Sequence, residues 1–119
     1  MSNYTNNFIG GEITPPVHGS YMPVLSPIDD TIISQVAVST SEDVDAAVFQ
    51  AQKAFTSWST MTVKSRAAIM FRLHHLIEQH VDELADLVVR ENGKNRAEAI
   101  ASIAKGNETV EWEIGRAHV

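Results

Sequence analysis

The 119-residue chain is the size of one small domain, and its composition, 44% hydrophobic and 20% charged, is typical of a folded protein rather than a disordered one. Its formal charge of −6 argues against a nucleic-acid-binding surface, which needs clustered Lys and Arg. The chain contains no cysteine, so its own residues supply no disulfide, no thiolate metal ligand and no thiol nucleophile.

Targeting signals are also not evident in the sequence. The first twelve residues carry one short apolar pair and no basic region ahead of an apolar run, so we predict no secretory signal. Nowhere does an apolar run approach the roughly 20 residues that span a bilayer. We therefore expect a cytoplasmic protein with no membrane and no nucleic-acid partner.

Residues 1–38 are predicted to form short antiparallel strands and turns, beginning with a hairpin. Phe8-Ile9 and Glu12-Ile13-Thr14 flank Gly10-Gly11, and two glycines between short apolar segments are typical of a tight hairpin turn. These glycines do not form a dinucleotide-binding fingerprint, because the G-x-G-x-x-G spacing and the following helix are missing.

Two further strands are predicted before the helices. Tyr21–Leu25 contains Pro23, which places it at the edge of a sheet because proline donates no backbone hydrogen bond. Thr31–Val38 is rich in β-branched residues, which favour strands. The turn Pro27–Asp30 joins them, since proline presets φ and aspartate side chains bond local backbone.

Residues 39–112 are predicted to form three helices. Two overlapping capping patterns, starting at Ser39 and at Thr40, leave the start of the first helix open. Its apolar residues recur at steps of four and three, which places them on one face. The face comprises Val44, Val48, Ala51, Phe55 and Trp58. We interpret Phe55 and Trp58 as core residues rather than a stacking platform for a base or cofactor.

The second helix is predicted to be very long, from near Thr62 to about Glu91, or roughly 40 Å at the helical rise. A domain of this size cannot cover such a length. Asn92-Gly93 is predicted to end it, with glycine in the left-handed conformation, and Asn95 to cap the third helix. A phosphate-binding loop around Lys94 is excluded, because its motif needs glycine five residues before Gly93 and a hydroxyl residue after Lys94.

Histidines on the second helix suggest a metal site, but their spacing is unsuitable. Helical ligands lie three or four residues apart, whereas His74 and His75 are six and five residues from His80. His75 could still converge with Glu78 and Asp82, although a solvated polar face is the better interpretation.

Other charged residues give no clear chemistry either. Asp82, Glu83 and Asp86 are interpreted as a solvated acidic face, because nothing predicts their burial. Arg66 could bind an anion or pair with a carboxylate, and the sequence leaves this open. We therefore predict no catalytic, cofactor-binding or metal-binding residue in this chain.

The order and spacing of several short motifs nevertheless resemble the N-terminal segment of an aldehyde dehydrogenase. The motifs are Pro27-Ile28-Asp29-Asp30, Ala54-Phe55-x-x-Trp58, Leu76-Ile77-Glu78, Glu91-Asn92-Gly93-Lys94 and Glu98-Ala99. The continuation Lys105–Glu111 most resembles the CoA-acylating methylmalonate-semialdehyde dehydrogenase branch.

The resemblance implies an α/β fold in which residues 39–112 are the helical part of an incomplete NAD-binding domain. In this family a cysteine thiolate attacks the aldehyde, NAD accepts the hydride, and water or coenzyme A releases the product. Those parts lie C-terminal to Val119 in the family. We therefore expect an inactive fragment that binds no cofactor itself, whose partners are the remainder of its own polypeptide and, in the full-length family, further copies.

Two alternatives remain open. A small helical protein-interaction module without catalysis could carry the same segment. Residues 113–119 depart from the family pattern, which suggests a non-native tail; the other interpretation is a natural helix end with Gly115 as the stop.

Overall fold

The computed structural model describes residues 3–117, which form five short strands and four helices. The strands are β1 (Tyr4–Thr5), β2 (Asn7–Ile9), β3 (Glu12–Thr14), β4 (Tyr21–Leu25) and β5 (Ile32–Ala37). The helices are α1 (Ser41–Trp58), α2 (Val63–Gln79), α3 (Val81–Asn92) and α4 (Arg96–Ala117). The chain divides between Ser59 and Thr60 into two compact units, the first containing the strands and α1, the second containing α2, α3 and α4.

The predicted hairpin is confirmed in the first unit. Strands β2 and β3 pair antiparallel with Ile9 opposite Glu12, so the loop between them has only two residues. Both loop residues have positive φ, 63° at Gly10 and 82° at Gly11, the backbone geometry that a two-residue turn of this type requires. The turn lies close to α1, because a Cβ at Gly10 would meet the Gln50 side chain at 3.3 Å.

The other three strands form a sheet in the order β1-β5-β4. The antiparallel pairing of β4 with β5 is as predicted, and Pro23 lies on the edge strand as expected. Strand β1 was not predicted, and it pairs with β5 in parallel, with Tyr4 opposite Gln35. The Tyr4 and Tyr21 rings meet edge to face at 4.7 Å between centroids, and the Tyr21 hydroxyl donates to Asn6 Oδ1 at 2.6 Å.

Helix α1 begins after Thr40, which settles the choice between the two capping patterns. The Thr40 backbone N–H donates to Asp43 Oδ2 at 2.9 Å, which is the return half of a capping box. The far end of α1 differs from expectation, because Phe55 is 65% exposed and Trp58 38% exposed rather than buried. The hairpin turn lies beside the middle of the helix, where Ala47, Gln50 and Ala51 line a pocket with Gly10 and Gly11.

The prediction of a single long helix is wrong, because His80 interrupts the helix and divides it into α2 and α3. His80 has φ −109° and ψ 18°, outside the helical region, so the regular backbone geometry stops there. Hydrogen bonds still flank the break, from His80 N–H to the Leu76 carbonyl and from Leu84 N–H to the His80 carbonyl, both at 3.0 Å. The start at Thr62 is as predicted, and Thr62 Oγ1 accepts from the Ser65 N–H at 3.1 Å.

In the second unit, α2 and α3 both pack against α4. The most deeply buried side chains are small: Ala67 is 2% exposed, and Ala85 and Ala99 are fully buried. Among residues 3–115, whose burial is described, no large side chain is less than 2% exposed. Helix α4 continues through Gly115 to Ala117, so Gly115 does not end the helix.

Candidate functional site

Asp43 is the most deeply buried charged residue among the described residues of the first unit, 3–59. Asp43 is 4% exposed, and its Oδ1 accepts a hydrogen bond from the Val17 backbone N–H at 2.9 Å, while Oδ2 accepts from Thr40. These hydrogen bonds, from Thr40 first and Val17 second, hold the pKa of Asp43 below its usual range. The group is therefore ionised and occupied by backbone donors, which suits a structural anchor rather than an acid or base catalyst.

His74 connects two helices of the second unit. Its Nε2 lies 2.8 Å from Glu111 Oε1 on α4, and its Nδ1 lies 3.6 Å from Glu78 on α2. Its backbone carbonyl accepts a hydrogen bond from Asn107 Nδ2 at 3.1 Å. His74 thus contacts α4 through both its side chain and its backbone.

The three histidines singled out in the sequence do not come together. His75 is exposed on α2, and His80 lies at the helix break with its Nδ1 3.1 Å from Glu83. In the described part of the chain, residues 3–117, no three His, Asp or Glu side chains are arranged to hold a metal ion. The geometry therefore offers no support for the alternative set around His75.

The acidic residues of α3 lie on an exposed face, as predicted. The Arg96 guanidinium bridges two of them, with Nη2 2.9 Å from Asp82 and Nη1 bonded to Asp86. Their hydrogen bonds and charge, principally those of Asp86, raise the pKa of Arg96 above its ordinary value. The arrangement is an interhelical ion pair between α3 and α4, in high-dielectric surroundings.

The segment around Gly93 is a helix end, as predicted. Gly93 has φ 79° in the left-handed region, and its N–H donates to the Val89 carbonyl at 3.0 Å. Lys94 Nζ donates to Ser102 Oγ at 3.0 Å, and Asn95 Oδ1 caps α4 by accepting from the Glu98 N–H. Arg66, for which the sequence left anion binding and carboxylate pairing open, lies half-buried in the first turn of α2.

Asn107 is the residue that sequence analysis missed. It is only 6% exposed, although asparagine is usually found at the surface. The signal was present in its position, because Asn107 follows Ile103 by four residues and precedes Val110 by three and Ile114 by seven. That spacing puts a polar side chain on the apolar face of α4.

Comparison with known proteins identifies the segment. Residues 14–119 match the aldehyde dehydrogenase family. The chain is 45% identical over 109 residues to malonate-semialdehyde dehydrogenase 1 of Geobacillus kaustophilus, and 40% identical to the malonate-semialdehyde dehydrogenase of Bacillus subtilis. Each alignment covers 92% of this chain and 22% of the relative, so the chain spans about a fifth of the length of these proteins.

Solved structures agree with the sequence matches. A Sinorhizobium meliloti protein described as a methylmalonate-semialdehyde dehydrogenase, solved with NAD, superposes with a TM-score of 0.93 at 28% identity. It covers 99% of this chain and 24% of its own. The Bacillus cereus aldehyde dehydrogenase gives a TM-score of 0.89 at 33% identity, covering 95% of this chain and 24% of its own.

These matches confirm the predicted α/β fold class and the predicted resemblance to methylmalonate-semialdehyde dehydrogenases. They concern the segment as a whole. They do not test the prediction that this chain contains no catalytic, cofactor-binding or metal-binding residue. The family match covers far more than half of the sequence, and the identities extend through both compact units. The chain therefore belongs to the aldehyde dehydrogenase family.

Proposed function

We propose that this chain is the N-terminal segment of an NAD-dependent aldehyde dehydrogenase that oxidises malonate semialdehyde or its methyl derivative, and that the segment alone is inactive. The observation that carries the proposal is 45% identity to a malonate-semialdehyde dehydrogenase over 92% of this chain but 22% of the relative. Release of the product to coenzyme A belongs to the same proposal.

The chemistry of the proposal requires residues outside this segment. A thiolate is the nucleophile that the family resemblance implies, and the chain has no cysteine. The most enclosed carboxylate, Asp43, already accepts hydrogen bonds from two backbone N–H groups. The segment therefore contributes fold and packing surface rather than reacting groups.

NAD does not fit the residues described here. A dinucleotide cradle needs a glycine-rich turn that leads from a strand into a helix, where backbone N–H groups face the pyrophosphate. The Gly10-Gly11 turn leads from β2 into β3, and Gly93 follows a helix rather than a strand. We therefore assign no NAD contact to any residue of this segment.

The proposed partner of the segment is the remainder of a family polypeptide. Large apolar side chains on α1 are exposed, including Val44 and Val48 at about half of their surface and Phe55 at 65%. These residues share the predicted apolar face of α1, and an exposed apolar face of this kind is typical of an interface. A helical interaction module without catalysis would use the same face.

The first prediction concerns activity. The 119-residue chain should reduce no NAD with malonate semialdehyde or methylmalonate semialdehyde, with or without coenzyme A, because it lacks the nucleophile. Absorbance of NADH measures the outcome, and the full-length Bacillus subtilis enzyme serves as the positive control. Turnover that persists after host enzymes are removed would contradict the proposal.

A chimeric enzyme distinguishes the two hypotheses, an inactive aldehyde dehydrogenase segment and an unrelated interaction module. This chain replaces the matching N-terminal part of the Bacillus subtilis enzyme, which keeps its own reacting groups. Activity within about tenfold of the parent is expected, since the barrier to the chemical step is unchanged. A folded but inactive chimera would favour the interaction-module alternative.

A further inference from the structure

Asn92 is an exposed asparagine at the end of α3, directly before Gly93. Gly93 is also exposed, so water reaches both residues. Within residues 3–117 the side-chain amide of Asn92 forms no hydrogen bond. The amide is therefore free to turn toward the backbone that follows it.

The other asparagines of the chain lack this combination. Hydrogen bonds hold the side chains of Asn6, Asn7, Asn95 and Asn107. Asn3 precedes Tyr4, and a residue with a Cβ hinders approach to the backbone nitrogen that follows an asparagine. Among residues 3–117, Asn92 alone has both a side chain without hydrogen bonds and a glycine after it.

This arrangement permits a reaction between the side chain and the backbone. The Gly93 nitrogen forms a bond to Asn92 Cγ, which closes a five-membered succinimide ring and breaks the bond from Cγ to Nδ2. Nδ2 leaves as ammonia and takes up the proton that the Gly93 nitrogen loses. Water then opens the ring at Cγ to give aspartate, or at the main-chain carbonyl to give isoaspartate. Water is the only reactant that the chain does not supply.

One hydrogen bond of the fold opposes this reaction. The Gly93 N–H donates to the Val89 carbonyl at 3.0 Å, so the nitrogen is occupied while the last turn of α3 is closed. The end of a helix opens at little cost in free energy, because few contacts hold it. Glycine has no Cβ and rotates more freely than other residues, so the nitrogen can reach Cγ once the turn opens.

We propose that Asn92 is a site of spontaneous deamidation, at which the chain converts slowly into aspartate and isoaspartate forms. Either product places a carboxylate at the C-terminal end of α3, beside Glu91, where the helix dipole disfavours negative charge. Isoaspartate also adds one carbon to the main chain before Gly93, which displaces its N–H from the Val89 carbonyl. Conversion therefore lowers the stability of the second unit.

Peptide mass spectrometry measures the conversion in the 119-residue chain, stored at neutral and at mildly alkaline pH. Conversion at Asn92 should be at least about tenfold greater than at Asn95 or Asn107, whose side chains are held and which do not precede glycine. It should be faster at alkaline pH, because hydroxide removes the Gly93 amide proton. Aspartate and isoaspartate should both appear, since one ring gives both.

A matched pair of variants locates the reaction. Asn92→Gln should stop conversion at this position, because glutamine would have to close a six-membered ring, whereas Asn3→Gln changes another exposed asparagine and should leave it unaltered. Storage in urea tests the role of the fold. Conversion at Asn92 should rise by less than about tenfold, because only the last turn of α3 has to open in the folded chain.

The effect on stability is measured after ion exchange separates the converted chain, which carries one additional negative charge. Its midpoint of urea unfolding should be lower than that of the unconverted chain. Asn92→Asp adds the charge without the additional main-chain carbon, so its midpoint should lie between those of the unconverted and isoaspartate chains.

Four results would overturn the proposal. Equal conversion at Asn95 or Asn107 would show that Asn92 is not a preferred site. Aspartate without isoaspartate would show direct hydrolysis of the side chain rather than attack by the Gly93 nitrogen. Conversion only in urea would show that folded α3 protects Asn92, and an unchanged midpoint of the isoaspartate chain would exclude the effect on stability.

Discussion

Asp43 shows how one side chain connects two segments that are far apart in sequence. Its two carboxylate oxygens accept from backbone N–H groups of Val17, in the loop after β3, and Thr40, at the start of α1. Because both donors are main-chain groups, the requirement is for two acceptors at this position and not for a particular partner side chain. The sequence predicted the capping half of this role from the Thr40-x-x-Asp43 spacing. The Val17 contact depends on tertiary structure and could not be predicted from spacing.

Asp43→Asn should destabilise the first unit at neutral pH, because the amide offers one acceptor oxygen to two N–H donors. The pH dependence should also change. Folding lowers the pKa of Asp43 below its ordinary value of 3.8. The carboxylate therefore stabilises the fold at pH values above 3.8, and this stabilisation is lost as the pH falls through the lower folded-state pKa.

Urea unfolding followed by circular dichroism, from about pH 7 down to about pH 3, measures both effects. The urea concentration at the wild-type midpoint should decrease in the acidic part of this range. The midpoint of Asp43→Asn should decrease less. Asp45→Asn removes the same charge from an exposed position of α1 and serves as the control. Parallel pH profiles for the wild type and Asp43→Asn would disprove the anchoring role.

Replacement by alanine should change stability in opposite directions at two glycines of the second unit. Gly93 has φ 79°, where a Cβ is strained, so Gly93→Ala should lower stability by about 1–2 kcal/mol. Gly106 is an exposed residue within α4 with no atom near its potential Cβ, so Gly106→Ala should raise stability by about 0.5–1 kcal/mol. Urea unfolding followed by circular dichroism measures both variants. Shifts of the two midpoints in the same direction would contradict the prediction.

At the scale of elements, the most deeply buried side chains of the helices in the second unit are alanines. Ala67, Ala85 and Ala99 lie one on each of α2, α3 and α4, and all three are buried. Larger apolar residues on the same helices, such as Leu73 and Leu87, remain substantially exposed. The small side chains let the helix backbones approach closely, so this packing depends on the absence of bulk at three positions.

Ala99→Leu should therefore lower stability by about 1–3 kcal/mol, because three additional carbon atoms would have to fit at a fully buried position. Ala101→Leu, two residues further along α4 at an exposed position, should change stability little. Urea unfolding of the two variants provides the comparison. Equal stabilities would mean that the helices can separate to admit the larger side chain.

The element that sequence analysis placed least well is the divided helix. Apolar residues of the second predicted helix recur at Ile77, Val81 and Leu84, with the spacing of one continuous helix, so they gave no sign of a break at His80. A weaker signal was present, because Asp82 and Glu83 are acidic residues in the first turn of α3, where they complement the dipole of a new helix. Periodicity reports which face is buried, and it does not report where the backbone leaves the helical region.

For the molecule as a whole, exposed apolar surface is the dominant feature. Phe8 is exposed in the hairpin, Phe55 in α1 and Trp112 in α4. No helix within residues 3–117 is long and apolar enough to cross a membrane.

The family and fold could be predicted because they depend on the order of many short motifs. No catalytic residue could be predicted, because the thiol nucleophile that the resemblance implies is not in this sequence.

The isolated chain should show substantial helix content but a broad thermal transition, with binding of the hydrophobic dye ANS and self-association. The physical reason is that its apolar faces find few partners within the chain. Circular dichroism, dye fluorescence and sedimentation measure these properties. A monomer with a sharp cooperative transition and no dye binding would contradict the segment proposal and favour the interaction module.

The parallel pairing of β1 with β5 has a consequence for the route of folding. Tyr4 and Gln35 are about thirty residues apart in sequence, so their pairing must close a long loop before it gains a hydrogen bond. The β2–β3 hairpin closes over two residues, at a far smaller entropic cost. We therefore expect the local hairpins to form before β1 joins the sheet. During synthesis β1 leaves the ribosome before β5, so it has to wait for β5 before the two strands can pair.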